Sequence, residues 1–184
     1  MTVKRHERTR ARRAALQILY TSEITEISPA DIAETETYLS DDGMLSDYAE
    51  AIVHGVAAHR EDIDGHLTAT SENWSLARMP IVDRSILRLA TYEMLFVDDV
   101  PTSVAINEAV ELAKDFGGED ESPRFVNGVL GRIAKRLDGD AEGTASEPLP
   151  LAAPQVDGAQ ADIALPSSWK VRESEGDVVG GDGL

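Results

Sequence analysis

The sequence predicts an all-α protein. Up to about residue 137 the apolar residues recur at helical spacing, no segment shows the strict alternation of a half-buried strand, and proline and glycine fall where helices start and stop. The pattern divides into about six to seven helices in two small packed bundles, 1–72 and 73–137, followed by a disordered acidic tail over 138–184.

The first helix is expected from Arg5 to Ser22. Ala11, Ala15, Ile18 and Leu19 form one stripe and Arg5, Arg8 and Arg12 another, so a basic face should stand apart from the apolar one. Ser28-Pro29 pairs a capping residue with proline at the first helical position, where its missing N–H costs nothing. It opens a second helix that fades between Ser40 and Gly43. A longer helical stretch runs from Leu45 to Thr70 with a bend near Arg60 to Asp62, completing the first bundle.

Asn73 to Met79 reads as a connector with one short turn. Pro80 then opens a helix through Phe96 in which Val82, Ile86, Leu89 and Ala90 face inward while Arg84 and Arg88 face out. Asp98-Asp99-Val100-Pro101 breaks it. The next helix starts near Thr102, buries Ile106, Ala109, Val110 and Ala113, and stops at Gly117-Gly118, where glycine offers the left-handed conformation that closes a helix. Ser122-Pro123 repeats the cap-plus-proline start, and Val126, Val129, Leu130, Ile133 and Leu137 make the last stripe.

The chain has 184 residues, enough for one ordinary domain or two small helical units. It holds no cysteine, which excludes disulfides and thiolate metal sites and suits a reducing, cytoplasmic setting. No apolar run approaches the length of a membrane span. The start resembles a signal peptide only superficially, because Gln17 interrupts the apolar run and Glu23 and Glu26 follow it. A formal net charge of −17 argues against a polyanionic partner until its distribution is considered. Lys4, Arg5, Arg8, Arg10, Arg12 and Arg13 stand against Glu7 alone in the first thirteen residues. The tail sets ten acids against Lys170 and Arg172. The protein is thus an acidic body with one basic arm, and the arm is where phosphates would bind.

Chemistry beyond that is sparse. His59, Asp62 and His66 would share a face on a continuous helix, the geometry of a metal site, but the expected bend separates them and a solvated face explains them as well. His54 reads as a partly buried packing residue. With 34 acids, pairs of carboxylates arise by chance, and no phosphate loop, dinucleotide fingerprint or nucleophile elbow is present. No residue is assigned a catalytic role, and no cofactor or metal is expected. Trp169, among Ser168, Lys170 and Val171, is either a short interaction motif or an ordinary aromatic in a solvated tail.

Four segments carry a resemblance: ARRAALQILY at 11–20, VDRSILRLATYEML at 82–95, VPTSVAINEAVELAKDFG at 100–117 and SPRFVNGVLGRIAK at 122–135. In that order and at those distances the chain resembles the NusB family over about residues 4–137. The resemblance implies two helical bundles, no catalysis, and binding of the boxA element of nascent ribosomal RNA together with NusE, a small-subunit ribosomal protein, within the RNA polymerase antitermination complex.

The family's positions carry over residue by residue. Arg5, Arg8, Arg10, Arg12 and Arg13 lie in the arginine-rich helix and would contact phosphates and bases, and Gln17 would reach a base edge. Asp120 and Phe125 fall in a second RNA-contact segment. Phe125 is displaced from the main stripe of its helix, so it either offers a stacking face to an unpaired base or sits at the edge of the core. Tyr20 and Asp83 match positions that meet NusE, with Asp83 read as an exposed acid that could pair with a basic protein. The acidic tail departs from the family pattern and is expected to aid solubility. Two rivals remain: a protein-only scaffold, and a module of the kind fused to RNA cytosine methyltransferases, for which the tail is too short to hold a catalytic domain.

Overall fold

A computed structural model of the chain describes residues 2–35, 45–70, 75–118 and 121–142, with only the backbone described for 2–5 and 140–142. Among these residues there are seven α-helices and one 3-10 turn. Of the tail expected over 138–184, residues 138–142 continue the last helix, and 143–184, with Trp169, lie outside the described residues.

The first bundle holds α1 (Thr2–Thr25), α2 (Pro29–Glu34), α3 (Asp47–Ala58) and α4 (Arg60–Thr70). Helix α1 outruns its expected end at Ser22 and closes at Glu26, which donates its N–H to the Ser22 carbonyl at 2.9 Å and turns the chain away with a positive φ of 59°. Helix α2 starts at Pro29 as expected, although the Ser28 hydroxyl makes no capping bond. Helix α3 is capped by Ser46, whose hydroxyl accepts from the Ala49 N–H at 3.3 Å. The expected bend is real and falls at His59. The backbone ladder continues on both sides, His59 N–H to Gly55 O and Ile63 N–H to His59 O, each at 3.0 Å. The His59 ring stacks on Phe96 with centroids 3.9 Å apart.

A 3-10 turn at Leu76–Arg78 leads into the second bundle, α5 (Ile81–Phe96), α6 (Thr102–Phe116) and α7 (Ser122–Glu142). Helix α7 continues past the expected end at Leu137. Helix α5 packs against α1, α3, α4, α6 and α7, so a single apolar core runs through both bundles. Leu16 and Ile18 of α1, Ile52 of α3, Leu67 of α4, Ile86 and Leu89 of α5 and Leu130 and Ile133 of α7 are all buried in it.

Central placement explains where the expected faces fail. A helix flanked on several sides has little outward face, so Arg88 is buried instead of pointing out, and Arg84 is mostly covered. On α6 the buried apolar set is Ala105, Ala109, Leu112, Ala113 and Phe116, joined by Glu108, with Ile106 and Val110 only half-buried. Gly117 is extended, at φ −66° and ψ 145°, not left-handed. Space is what favours glycine there, since a Cβ would lie 2.3 Å from the Ala113 carbonyl and 2.7 Å from Ser122 Cβ. His54, expected to pack, is exposed.

Candidate nucleic-acid interface

The arginines of α1 do not form one outward face. Arg12 is buried, because its stripe coincides with the seam between α1, α5 and α6. Its Nε donates to both Glu93 oxygens at 2.9 and 3.0 Å, and its Nη1 donates to Glu108 Oε2 at 3.3 Å. Thr9 donates its hydroxyl to the same Glu108 oxygen at 2.8 Å, and Tyr48 of α3 donates its hydroxyl to Glu93. Burial works to lower the Arg12 pKa, but the hydrogen bond and charge of Glu93, with Tyr48 and Glu108, outweigh it and hold the group above its ordinary value. The Tyr48 phenol is pushed upward by burial and by its bond to Glu93, so it stays neutral. Arg12 is therefore a structural cation, which corrects the expectation that its side chain is presented to RNA.

Arg8 and Arg13 lie further out. Arg8 pairs with Asp99 in the loop between α5 and α6, and its guanidinium sits 4.7 Å from the Tyr48 ring centroid. Arg13 pairs with Asp115 of α6, 5.4 Å from the Phe116 ring centroid. Arg10 is exposed. Residues 6, 10, 13 and 17 recur at i, i+4, i+7 and i+11, so His6, Arg10, Arg13 and Gln17 occupy one side of α1. The first three are exposed and Gln17 is half-buried. This side, and not the one that holds Arg8 and Arg12, is the outward basic face. The Arg5 side chain and Asp120 lie outside the described residues.

The second expected contact segment is only partly described. Phe125 is 5 % exposed and belongs to the core, so it presents no open stacking face in this conformation. Asp83, expected at the surface, is 1 % exposed. Its carboxylate accepts from the Ser122 hydroxyl at 3.2 Å and so ties α5 to the first residue of α7, next to the segment that holds Asp120. Tyr20 is buried, and burial pushes its phenol pKa up. Periodicity indicated which residues share a stripe, but not that other helices would cover these stripes.

A second polar cluster, which the sequence did not announce, gathers around Glu23 near the end of α1. Its carboxylate meets Arg60 at 2.6 Å, Arg84 at 2.6 Å and Arg88 at 2.9 Å, and Arg88 also makes paired bonds of 2.7 and 2.9 Å to Asp64. The Arg88–Glu23 approach is an ion pair without hydrogen-bond alignment. Burial would raise the Glu23 pKa, but Arg88, Arg60 and Arg84 together hold it below the usual carboxylate value. The cluster locks α1 to α4 and α5, and so fixes the arm's direction relative to the body.

Among the described residues no three acids, histidines or cysteines group as a metal site, and no helix is long and apolar enough to cross a membrane. His59 lies 3.8 Å from Asp62 and its ring is engaged by Phe96.

Comparison with known proteins places this arrangement. The chain is 54 % identical over 125 residues to the transcription antitermination protein NusB of Rubrobacter xylanophilus, covering 67 % of this chain and 86 % of that one. Its fold is similar to T. maritima NusB, with a TM-score of 0.62 and 38 % identity over 70 % of this chain and 90 % of the other. It is also similar to a chain in the crystal structure of the antitermination factors NusB and NusE in complex with double-stranded RNA, with a TM-score of 0.59 and 27 % identity, covering 71 % and 98 %. The sequence profile of the NusB family matches residues 9–135, from the arm's Thr9 to the last turns of α7, and the chain belongs to the NusB family.

Proposed function

We propose that this protein is a non-catalytic, cytoplasmic RNA-binding factor of transcription antitermination. It binds boxA of nascent ribosomal RNA together with NusE and helps RNA polymerase read through terminators. The observation that carries this reading is the row of exposed His6, Arg10 and Arg13, continued by half-buried Gln17, on a helix whose opposite side is fixed to the body through Arg12. Cations on a rigid helix neutralise successive phosphates, and guanidinium planes also stack on unpaired bases. The relatives named as antitermination proteins, and the neighbour solved with NusE and RNA, support the assignment.

Within this reading Arg10 and Arg13 contact RNA directly, Gln17 reaches from the same side, and Arg8 and Arg5 extend the basic edge. Arg12 holds the helix in place. Asp120 and Phe125 belong to the second contact segment, with Phe125 supporting it from the core. Tyr20 and Asp83 serve NusE binding by shaping the surface above them.

The test is fluorescence anisotropy of labelled boxA RNA against a scrambled control, with and without NusE, for the wild type and Arg10→Ala/Arg13→Ala. The wild type should prefer boxA, NusE should strengthen the preference, and the variant should lose it. If three arginines neutralise phosphates, log K against log salt should slope at about −2, and each arginine removed should flatten it by about 0.7. No preference for boxA, with the variant unaffected, would overturn the reading in favour of a protein-only scaffold.

A further inference from the structure

The arm's cations are held in two different ways. The Arg12 pairs are closed to solvent, with side-chain exposures of 3 % for Arg12 and 0 % for Glu93. Arg8 and Asp99 are 24 % and 63 % exposed, and Arg13 and Asp115 are 44 % and 41 % exposed. A buried charge pair cannot be opened without stranding a charge, whereas an exposed pair is easily exchanged because water solvates both partners.

Asp99 and Asp115 sit on separate elements, the loop after α5 and the end of α6, yet each meets a different arginine of the same helix. A carboxylate presents to guanidinium the same planar pair of acceptor oxygens as two oxygens of a phosphate. We infer that Asp99 and Asp115 are stand-ins for RNA phosphates: they hold Arg8 and Arg13 in the protein alone and are displaced when RNA binds, setting its affinity below what the arginines alone would give. The inference rests on the RNA-binding reading above and deepens it by naming residues that regulate the same surface.

The two roles of the carboxylates around α1 then follow. Glu93 and Glu108 stay on Arg12 whether or not RNA is bound. Asp99 and Asp115 exchange, and each displaced carboxylate turns outward into water. They also weaken contact with any polyanion that cannot replace both at once, so a ligand presenting two suitably spaced phosphates gains over one presenting a single phosphate.

The experiment measures boxA RNA binding by the full chain across a salt series for the wild type, Asp99→Asn/Asp115→Asn, and a charge-matched control, Asp98→Asn/Glu111→Gln, two exposed acids nearby of which Glu111 pairs with Lys114 of its own helix and not with α1. The Asp99/Asp115 variant should bind roughly two- to tenfold more tightly than wild type, with a clearly smaller gain in the control. In an Arg8→Ala/Arg13→Ala background the gain should vanish. Normal wild-type binding with no gain, or an equal gain in the control, overturns the exchange and leaves the RNA reading standing. Absence of RNA binding in the wild type and in every variant overturns the reading itself, and the exchange with it.

Discussion

Arg12 of α1 grips Glu93 of α5 through both carboxylate oxygens, at 2.9 and 3.0 Å, across 81 positions of sequence and out of reach of water. The pair joins the RNA-facing helix of the proposed mechanism to the most enclosed helix of the fold. Two consequences of it, and of two other features, are open to measurement.

Arg12→Ala should destabilise the protein by about 3–5 kcal/mol, because Glu93 would stay buried and lose its guanidinium partner. Urea denaturation followed by circular dichroism reads this directly. Arg12→Ala paired with Glu93→Ala should cost less than the two single substitutions added together, since the double variant removes both partners of that pair and leaves only Glu108, which keeps the Thr9 hydroxyl, without its guanidinium. Additive losses would mean that the two side chains do not act as a pair.

Stability should fall on acidification through Glu23. Its folded pKa is held below the unfolded value, near the ordinary 4.5, because Arg88, Arg60 and Arg84 outweigh the effect of burial. A depressed carboxylate contributes its full stabilisation above the unfolded pKa and loses it as pH falls through the folded one. Urea midpoints measured from pH 7 to about pH 3 should drop in the wild type, while Glu23→Gln should start lower at neutral pH and fall less steeply. Parallel curves would show that other carboxylates account for the acid response.

Gly117 and Gly131 should respond oppositely to alanine. A Cβ at 117 would press on the Ala113 carbonyl and on Ser122, whose hydroxyl anchors Asp83. Neither is the loose end of a flexible chain, so Gly117→Ala should cost about 1–3 kcal/mol. Nothing lies within 4 Å of a Cβ at 131, inside α7, so Gly131→Ala should stabilise the helix by up to about 1 kcal/mol. Thermal melts of the two variants side by side decide it.

Much of the architecture was legible because local rules carried it. Pro29 and Pro80 marked starts, Asp98 to Pro101 marked a break, and the bend expected near Arg60 to Asp62 falls at the adjoining His59. Ser46 with Asp47 and Glu50 is the start signal of α3, a capping hydroxyl followed by acids in the first turn. What stayed hidden depends on which helix lies against which. Nothing near Arg12 in sequence indicates Glu93 or Glu108, and nothing near Arg88 indicates Glu23 or Asp64. Both arginines looked outward because cations on a periodic helix normally are. Asp83 was read as exposed, and Phe125 was left between an open stacking face and the edge of the core: position on a stripe gives a direction, but coverage depends on the neighbours.

The anchoring of α1 has a thermodynamic side. Basic arms in many nucleic-acid-binding proteins are unstructured until they meet their target, and ordering them consumes part of the interaction energy. Here the helix from residue 6 onward is already shaped by Arg12 at its middle and Glu23 near its end. Under the proposed function, a strand docking on His6, Arg10, Arg13 and Gln17 would meet a preorganised template and pay little folding entropy, so a small heat-capacity change is the calorimetric signature to expect, in contrast to coupled folding.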